Sequence, residues 1–162
     1  MTLPDKVLAR IQFLIRVSAK ECRHLQTTDS RLFRECFDES RAKKLDEDAD
    51  LAERVEAFVG RFGRLQDTLA DKLLPALLSA LGEQVGAQLD NLDLAERFGY
   101  VASAELWFAM RQLRNQMVHE YIEDPAILAS ALQSGHDFVP MLIQAAESML
   151  ADIERRGWGH HP

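Results

Sequence analysis

Cysteine is nearly absent from this chain: Cys22 and Cys36 are the only two in 162 residues. Two cysteines cannot build a disulfide framework, and there is no CxxC pair for a zinc or redox site. Five prolines and eight glycines are too few for a turn-rich β-sandwich. No glycine-rich phosphate loop occurs and no GxSxG nucleophile turn. No uninterrupted apolar run approaches the length of a signal h-region or a membrane span, and Asp5, Lys6 and Arg10 interrupt the N-terminal stretch. Cations are in deficit, with 19 Lys and Arg against 26 Asp and Glu and a net charge of −7. That balance excludes a protein that coats duplexes nonspecifically, since such a surface must be basic. A local basic groove stays open, because 14 of the 19 cations are arginine, the better bidentate phosphate ligand. These absences describe a cytoplasmic protein of a reducing compartment with no membrane segment.

What is present is helical periodicity. Hydrophobic residues make up 47% and charged residues 28%, ordinary for a packed domain of this size. The expected fold class is all-α, an up-down helical bundle of four long helices plus short accessory helices. One domain spans 1–156, with a flexible tail over 157–162 whose histidines are set aside. The first helix is expected from about Pro4 to Leu25, opened by a capping-box-like Thr2 and Asp5. Its stripe is Leu3, Val7, Ile11, Leu14, Ser18, Cys22 and Leu25, with Cys22 a small core residue. Arg31 to Phe37 reads as a short helix and Arg41 to Asp50 as a solvated charged run. A second long helix is expected from about Asp50 to Leu81, on the stripe Leu51, Val55, Phe58, Phe62, Leu65, Leu69 and Leu73. Gly60 and Gly63 mark a close helix approach, and Pro75 a kink near Lys72. Residues 82–91 form a connector and Asp93 to Phe98 a short helix. Ser103 caps a third long helix reaching about Val118. Asp124, with Pro125 at the first position, caps the last, which runs to about Arg155 with irregularity at Gly135 and Pro140.

Candidate chemistry is sparse. Glu21 and His24 form one ExxH pair, but a di-iron bundle needs two such pairs and two more carboxylates, so no metal and no cofactor are expected. His136 reads as structural and Trp107 as a core or dimer-interface residue. The informative stretch is Arg111-Gln-Leu-Arg114-Asn115-Gln-Met-Val-His119-Glu-Tyr121. On a helix, Leu106, Met110, Leu113 and Met117 form a core stripe. Arg114 lies about 70° to one side of it and His119 about 150° away on the other. The two converge only if the helix ends before His119, or if a symmetry mate supplies one of them, as a two-fold dimer can. A simple polar helix end, its cations favoured by the macrodipole, is the competing reading.

Arg114, Asn115, three residues, His119, one residue and Tyr121 resemble the R-polar-x-x-x-H-x-Y signature of the HEPN superfamily, especially the HepT-like toxins paired with minimal nucleotidyltransferases. The position is similar too: the motif falls late in a long penultimate helix, and Ile122-Glu123-Asp124-Pro125 turns into a final helix. The resemblance covers most of the chain in architecture but about 12 residues in letters, and residues 27–50 are extra relative to the smallest members. It implies a HEPN-like bundle that dimerises and cuts RNA without metal. His119 would transfer protons, Arg114 would clamp phosphate, and Asn115 would orient one of them or touch substrate. It implies that a partner nucleotidyltransferase antitoxin attaches AMP to Tyr121, whose added charge repels RNA.

Arg61 and Arg64 are candidates to line an RNA groove, with Arg111 and Arg97 similar but weaker ones. Against this, Arg61 and Arg64 can simply pair with Asp67 on their own helix. Two other functions stay open: a non-catalytic HEPN module that binds nucleotides or a nucleotidyltransferase, and an unrelated helical interaction protein.

Overall fold

A computed structural model describes residues 2–119 and 123–159. Among the described residues every regular element is helical. These are α1 (Asp5–Leu32), α2 (Glu39–Lys43), α3 (Ala49–Asp67), a π-helical turn (Thr68–Leu73), α4 (Leu74–Ala80), α5 (Gln88–Phe98), α6 (Ala104–His119) and α7 (Pro125–Arg155). The chain is thus all-α. α1 packs on α3 and α7, α6 on α7 and α3, α2 on α7, and α5 on α4 and α6. No helix among the described residues is long and apolar enough to cross a membrane.

α1 runs seven residues past the expected stop at Leu25. Thr28 and Leu32 extend its buried stripe, and Thr27 Oγ donates back to the Arg23 carbonyl (2.9 Å), so the polar run 27–31 stays helical. The expected capping box is not formed: Pro4 is the N-cap residue and no side chain bonds the first turn. Residues 33–37 are not helical, and only Arg31 and Leu32 of that expected short helix are, as the end of α1. The charged run that follows is not wholly solvated. Ala42 and Leu45 are buried, and the Phe37 N–H donates to Gln133 Oε1 of α7 (3.0 Å), so residues 33–45 clasp α7. α5 begins five residues before the expected Asp93, because buried Asn91 donates to the Gly86 carbonyl (3.1 Å) and accepts from its N–H (2.9 Å). It ends at Gly99, whose φ of 80° makes the left-handed cap that turns Tyr100 inward.

Ala49–Ala80 is one unbroken helical path with a π turn in the middle. The apolar rhythm of α3 explains the turn. Spacings of 4,3,4,3,4 run from Leu51 to Leu69, and continuing the heptad would bury Lys72, Ala76 and Ser79. The residues buried instead are Leu73, Leu77 and Ala80, one position later in each case. One extra residue in the π turn makes that shift, closed by the Leu74 N–H onto the Leu69 carbonyl. Pro75 follows directly and has no N–H to close an ordinary α turn. Ser103 and Asp124 cap as expected: Ser103 Oγ accepts from the Leu106 N–H (3.1 Å), and Asp124 Oδ1 from those of Ala126 and Ile127 (3.0 and 3.3 Å). α7 passes through Gly135 and Pro140 without a break. Trp158 is 7% exposed, its carbonyl accepting from Gln12 Nε2 (3.4 Å), so packing continues into the segment expected to be a flexible tail.

Phe58 sits at the centre, fully buried and edge-on to Phe33 (5.1 Å) while stacking on Phe62 (5.5 Å). Phe58→Ala is expected to lower the free energy of unfolding in urea by about 3–5 kcal/mol. A loss below about 1 kcal/mol would remove Phe58 from the centre of the core.

Candidate functional site

The rotation of α6 about its own axis decides where its polar residues point. The expected core stripe through Leu106 is wrong at that residue: Leu106 is 45% exposed and Leu113 only half-buried. The buried residues are Ala104, Trp107, Met110 and Met117. The large Trp107 ring takes the core position, and the stripe turns toward it. Arg114 then falls between Met110 and Trp107 around the axis, on the face that meets α3.

A cation on a core face needs room and a counter-charge. Gly63 of α3 gives the room: a Cβ there would lie 2.5 Å from Arg114 Nε and 2.9 Å from Cζ. This is the close approach expected at Gly63, made by a side chain of α6. At Gly60 nothing approaches. Asp67 gives the counter-charge, its Oδ1 accepting from Arg114 Nη1 at 2.5 Å. The side chains are 30% and 40% exposed, so water screens the pair and its contribution to stability is under about 1 kcal/mol. One turn earlier, Arg111 donates to Gln88 Oε1, and Gln88 Nε2 donates to Asp71 Oδ1 (2.5 Å). Both arginines of α6 are therefore tied to carboxylates four residues apart on the helix opposite.

Asn115 and His119 are exposed on the last turns of α6. The helix does not end before His119, so that route to convergence with Arg114 within one chain is closed. Five residues of helix separate the two by about 140° around the axis. Tyr121 lies outside the described residues.

Asp67 pairs with Arg114, and neither Arg61 nor Arg64 takes it. Arg61 turns onto α1, donating to the His24 carbonyl (3.1 Å) and to Thr28 Oγ, which leaves it only partly free for a ligand. With Arg31, Arg54, Asp50 and Glu53 it lines a groove of about 380 Å³. Arg64 is exposed and lines a small cleft with Arg61, Glu21 and His24; Arg97 is also exposed. Glu21 accepts from Thr68 Oγ (3.0 Å). Its burial raises the carboxyl above the ordinary range, an effect only partly offset by Thr68, Arg64 and Lys72. His24 is exposed, and no three His, Cys, Asp or Glu side chains come together as a metal site among the described residues. His136 joins α7 to α1, its Nδ1 2.7 Å from Asp29 Oδ1 and its ring stacked on Phe33 at 4.4 Å.

The sequence reading missed a second polar knot, at the far end of α7. Buried Asp152 accepts from the Tyr100 hydroxyl, from Arg155 and from Arg156 Nε (3.0 Å). Burial alone would raise this carboxyl, but the three donors and the arginine charges together hold it below its usual range.

No protein-family model, curated protein or solved structure matches the chain.

Burial raises the Cys22 thiol from 9.0 to about 11, helped by Glu147 and Glu21, whereas Cys36 is exposed. Ellman's reagent at pH 8 is expected to titrate one thiol, Cys36, in the native protein, and Cys22 only after denaturant is added. Rapid release of two equivalents would contradict the burial of Cys22. The same shift gives a pH dependence. Between about pH 9 and 11 the unfolded chain loses the Cys22 proton and the folded chain keeps it, so stability falls as pH rises through that window. Cys22→Ala is expected to shallow that decline in chemical denaturation, and an unchanged slope would remove Cys22 as its source.

Proposed function

We propose that this chain is a HEPN-type endoribonuclease toxin of a toxin–antitoxin pair, acting as a homodimer in the cytoplasm without metal or cofactor. What carries the reading is the spacing of Arg114, Asn115, His119 and Tyr121 in the sequence, with Arg114 half-buried and Asn115 and His119 exposed at the end of the penultimate long helix. The HEPN-like up-down arrangement of the four long helices belongs to the same proposal. Because Arg114 and His119 diverge on one helix, each protomer holds half of a site. A second copy whose α6 abuts the first brings the guanidinium of one against the imidazole of the other. Val118 beside His119 (58% exposed), Leu106 and Ile127 are apolar surface on α6 and α7 suited to such a contact.

RNA carries its own nucleophile, the 2′-hydroxyl. His119 takes its proton or protonates the leaving 5′-oxygen. Arg114 holds the phosphate and stabilises the charge that grows on it, and Asn115 orients the substrate or the imidazole. The products are a 2′,3′-cyclic phosphate and a 5′-hydroxyl. Arg111, Arg61 and Arg64 serve the approach of RNA through the charge they leave exposed. AMP attached to Tyr121 by a minimal nucleotidyltransferase silences the site by blocking and repelling RNA.

One observation favours a second reading, a non-catalytic HEPN module. Arg114 is already bonded to a carboxylate and partly covered by α3. Expression in bacteria without a partner separates the two. The nuclease arrests growth, His119→Ala and Arg114→Ala each relieve the arrest, and purified protein cuts RNA in the presence of EDTA. If neither wild type nor variant is toxic and RNA stays intact, the binding module replaces the nuclease. Gel filtration at monomer size would count against both.

A further inference from the structure

The guanidinium assigned to RNA is occupied in the free chain. Asp67 Oδ1 lies 2.5 Å from Arg114 Nη1, and Gly63 lets the Arg114 side chain lie flat against α3 from Cδ to Cζ. Both partners remain partly open to solvent, so a competing anion can reach them. A carboxylate and a phosphodiester are the same kind of acceptor to a guanidinium. Arg111 is tethered in the same direction, through Gln88 to Asp71.

We propose that Asp67 is an internal phosphate mimic that masks Arg114, so that an RNA phosphodiester gains the guanidinium only by displacing the Asp67 carboxylate. This rests on the reading of Arg114 as the phosphate clamp. It makes Asp67 a positioning residue with two opposed effects. The carboxylate holds the guanidinium in one place against α3, and it withholds the positive charge from weak or passing anions. Gly63 belongs to the same device, since any side chain there pushes Arg114 off α3 and away from Asp67.

Two variants break the mask by different means. Asp67→Asn keeps the shape and removes the charge, whereas Gly63→Ala keeps the charge and displaces Arg114. Both variants lose the same partly exposed ion pair, worth under about 1 kcal/mol, and Gly63→Ala sets a gain in helix propensity against the displacement of Arg114. Urea unfolding of each variant is measured alongside, so that a shared gain in affinity is compared at known stability. The measurement is binding of a labelled single-stranded RNA oligonucleotide across a salt series, in the full chain carrying His119→Ala so that RNA is not consumed. Each variant is expected to bind roughly tenfold tighter than the His119→Ala parent, the order of one contact to a charged group. The plot of log affinity against log salt is expected to steepen by about 0.7 for the one additional phosphate contact. Adding Arg114→Ala to either variant is expected to erase the gain.

Unchanged affinity and slope in both variants overturn the mask, as does a gain that survives Arg114→Ala. The two proposals fail separately. If the variants gain Arg114-dependent RNA binding but protein with His119 intact leaves RNA uncut, the mask stands and the nuclease falls. If RNA is cut and neither variant changes affinity, the nuclease stands and the mask falls.

Discussion

The apolar stripe of α3 sets the position of everything else. Leu51, Val55, Phe58, Phe62 and Leu65 are buried along its length, and α1, α6 and α7 each pack against this helix. A helix that packs on such a stripe has little freedom to rotate, since turning it by one residue moves every side chain by about 100°. For α6 the large Trp107 ring fixes the angle. Once it is buried, Arg114 has to face α3, and a residue with a side chain at 63 would leave no space for it. The polar geometry at the end of α6 is therefore a product of apolar packing several turns away.

That geometry accounts for how an acidic protein can hold a useful arginine cluster. Arg61 is spent on the α1–α3 seam, and Arg155 and Arg156 on Asp152. Arg114 meets the Asp67 carboxylate across the α3–α6 contact, and Arg111 is bonded to Gln88 of α5. These five cations each have a local partner, so a competing anion meets each of them only by displacing that partner.

Much of this was legible in the sequence where one periodic signal dominated. The stripes of α1 and α3, the Ser103 and Asp124 caps and the interruption ahead of Pro75 all follow from spacing and from residues with a single strong preference. The misses came where two apolar or polar options competed. Leu106 and Trp107 both suit a core position, and the tertiary volume available decides between them, which spacing does not encode. Asp67 is the natural helical partner of Arg64, and nothing local says that an arginine 47 residues away claims it. The tail around Trp158 lacks periodicity altogether, so its packing depends on Gln12 at the opposite end of the chain. The sequence marks Arg114, Asn115 and His119 as a motif, but the helix continues to His119 and keeps Arg114 and His119 on different faces, which the letters alone do not say.

The extra residue in the Thr68–Leu73 turn also bears on how this chain can change length. Most helices in a bundle resist a one-residue deletion, because the downstream half rotates and buries the wrong side chains. Here the upstream and downstream halves are already offset by one. Losing a residue within the π turn would convert it to ordinary α-helix while Leu73, Leu77 and Ala80 kept their seats. Asp71 and Lys72 are the exposed residues of the turn, so a natural variant lacking one of them would share the same core, with the one bond that Pro75 cannot donate still missing.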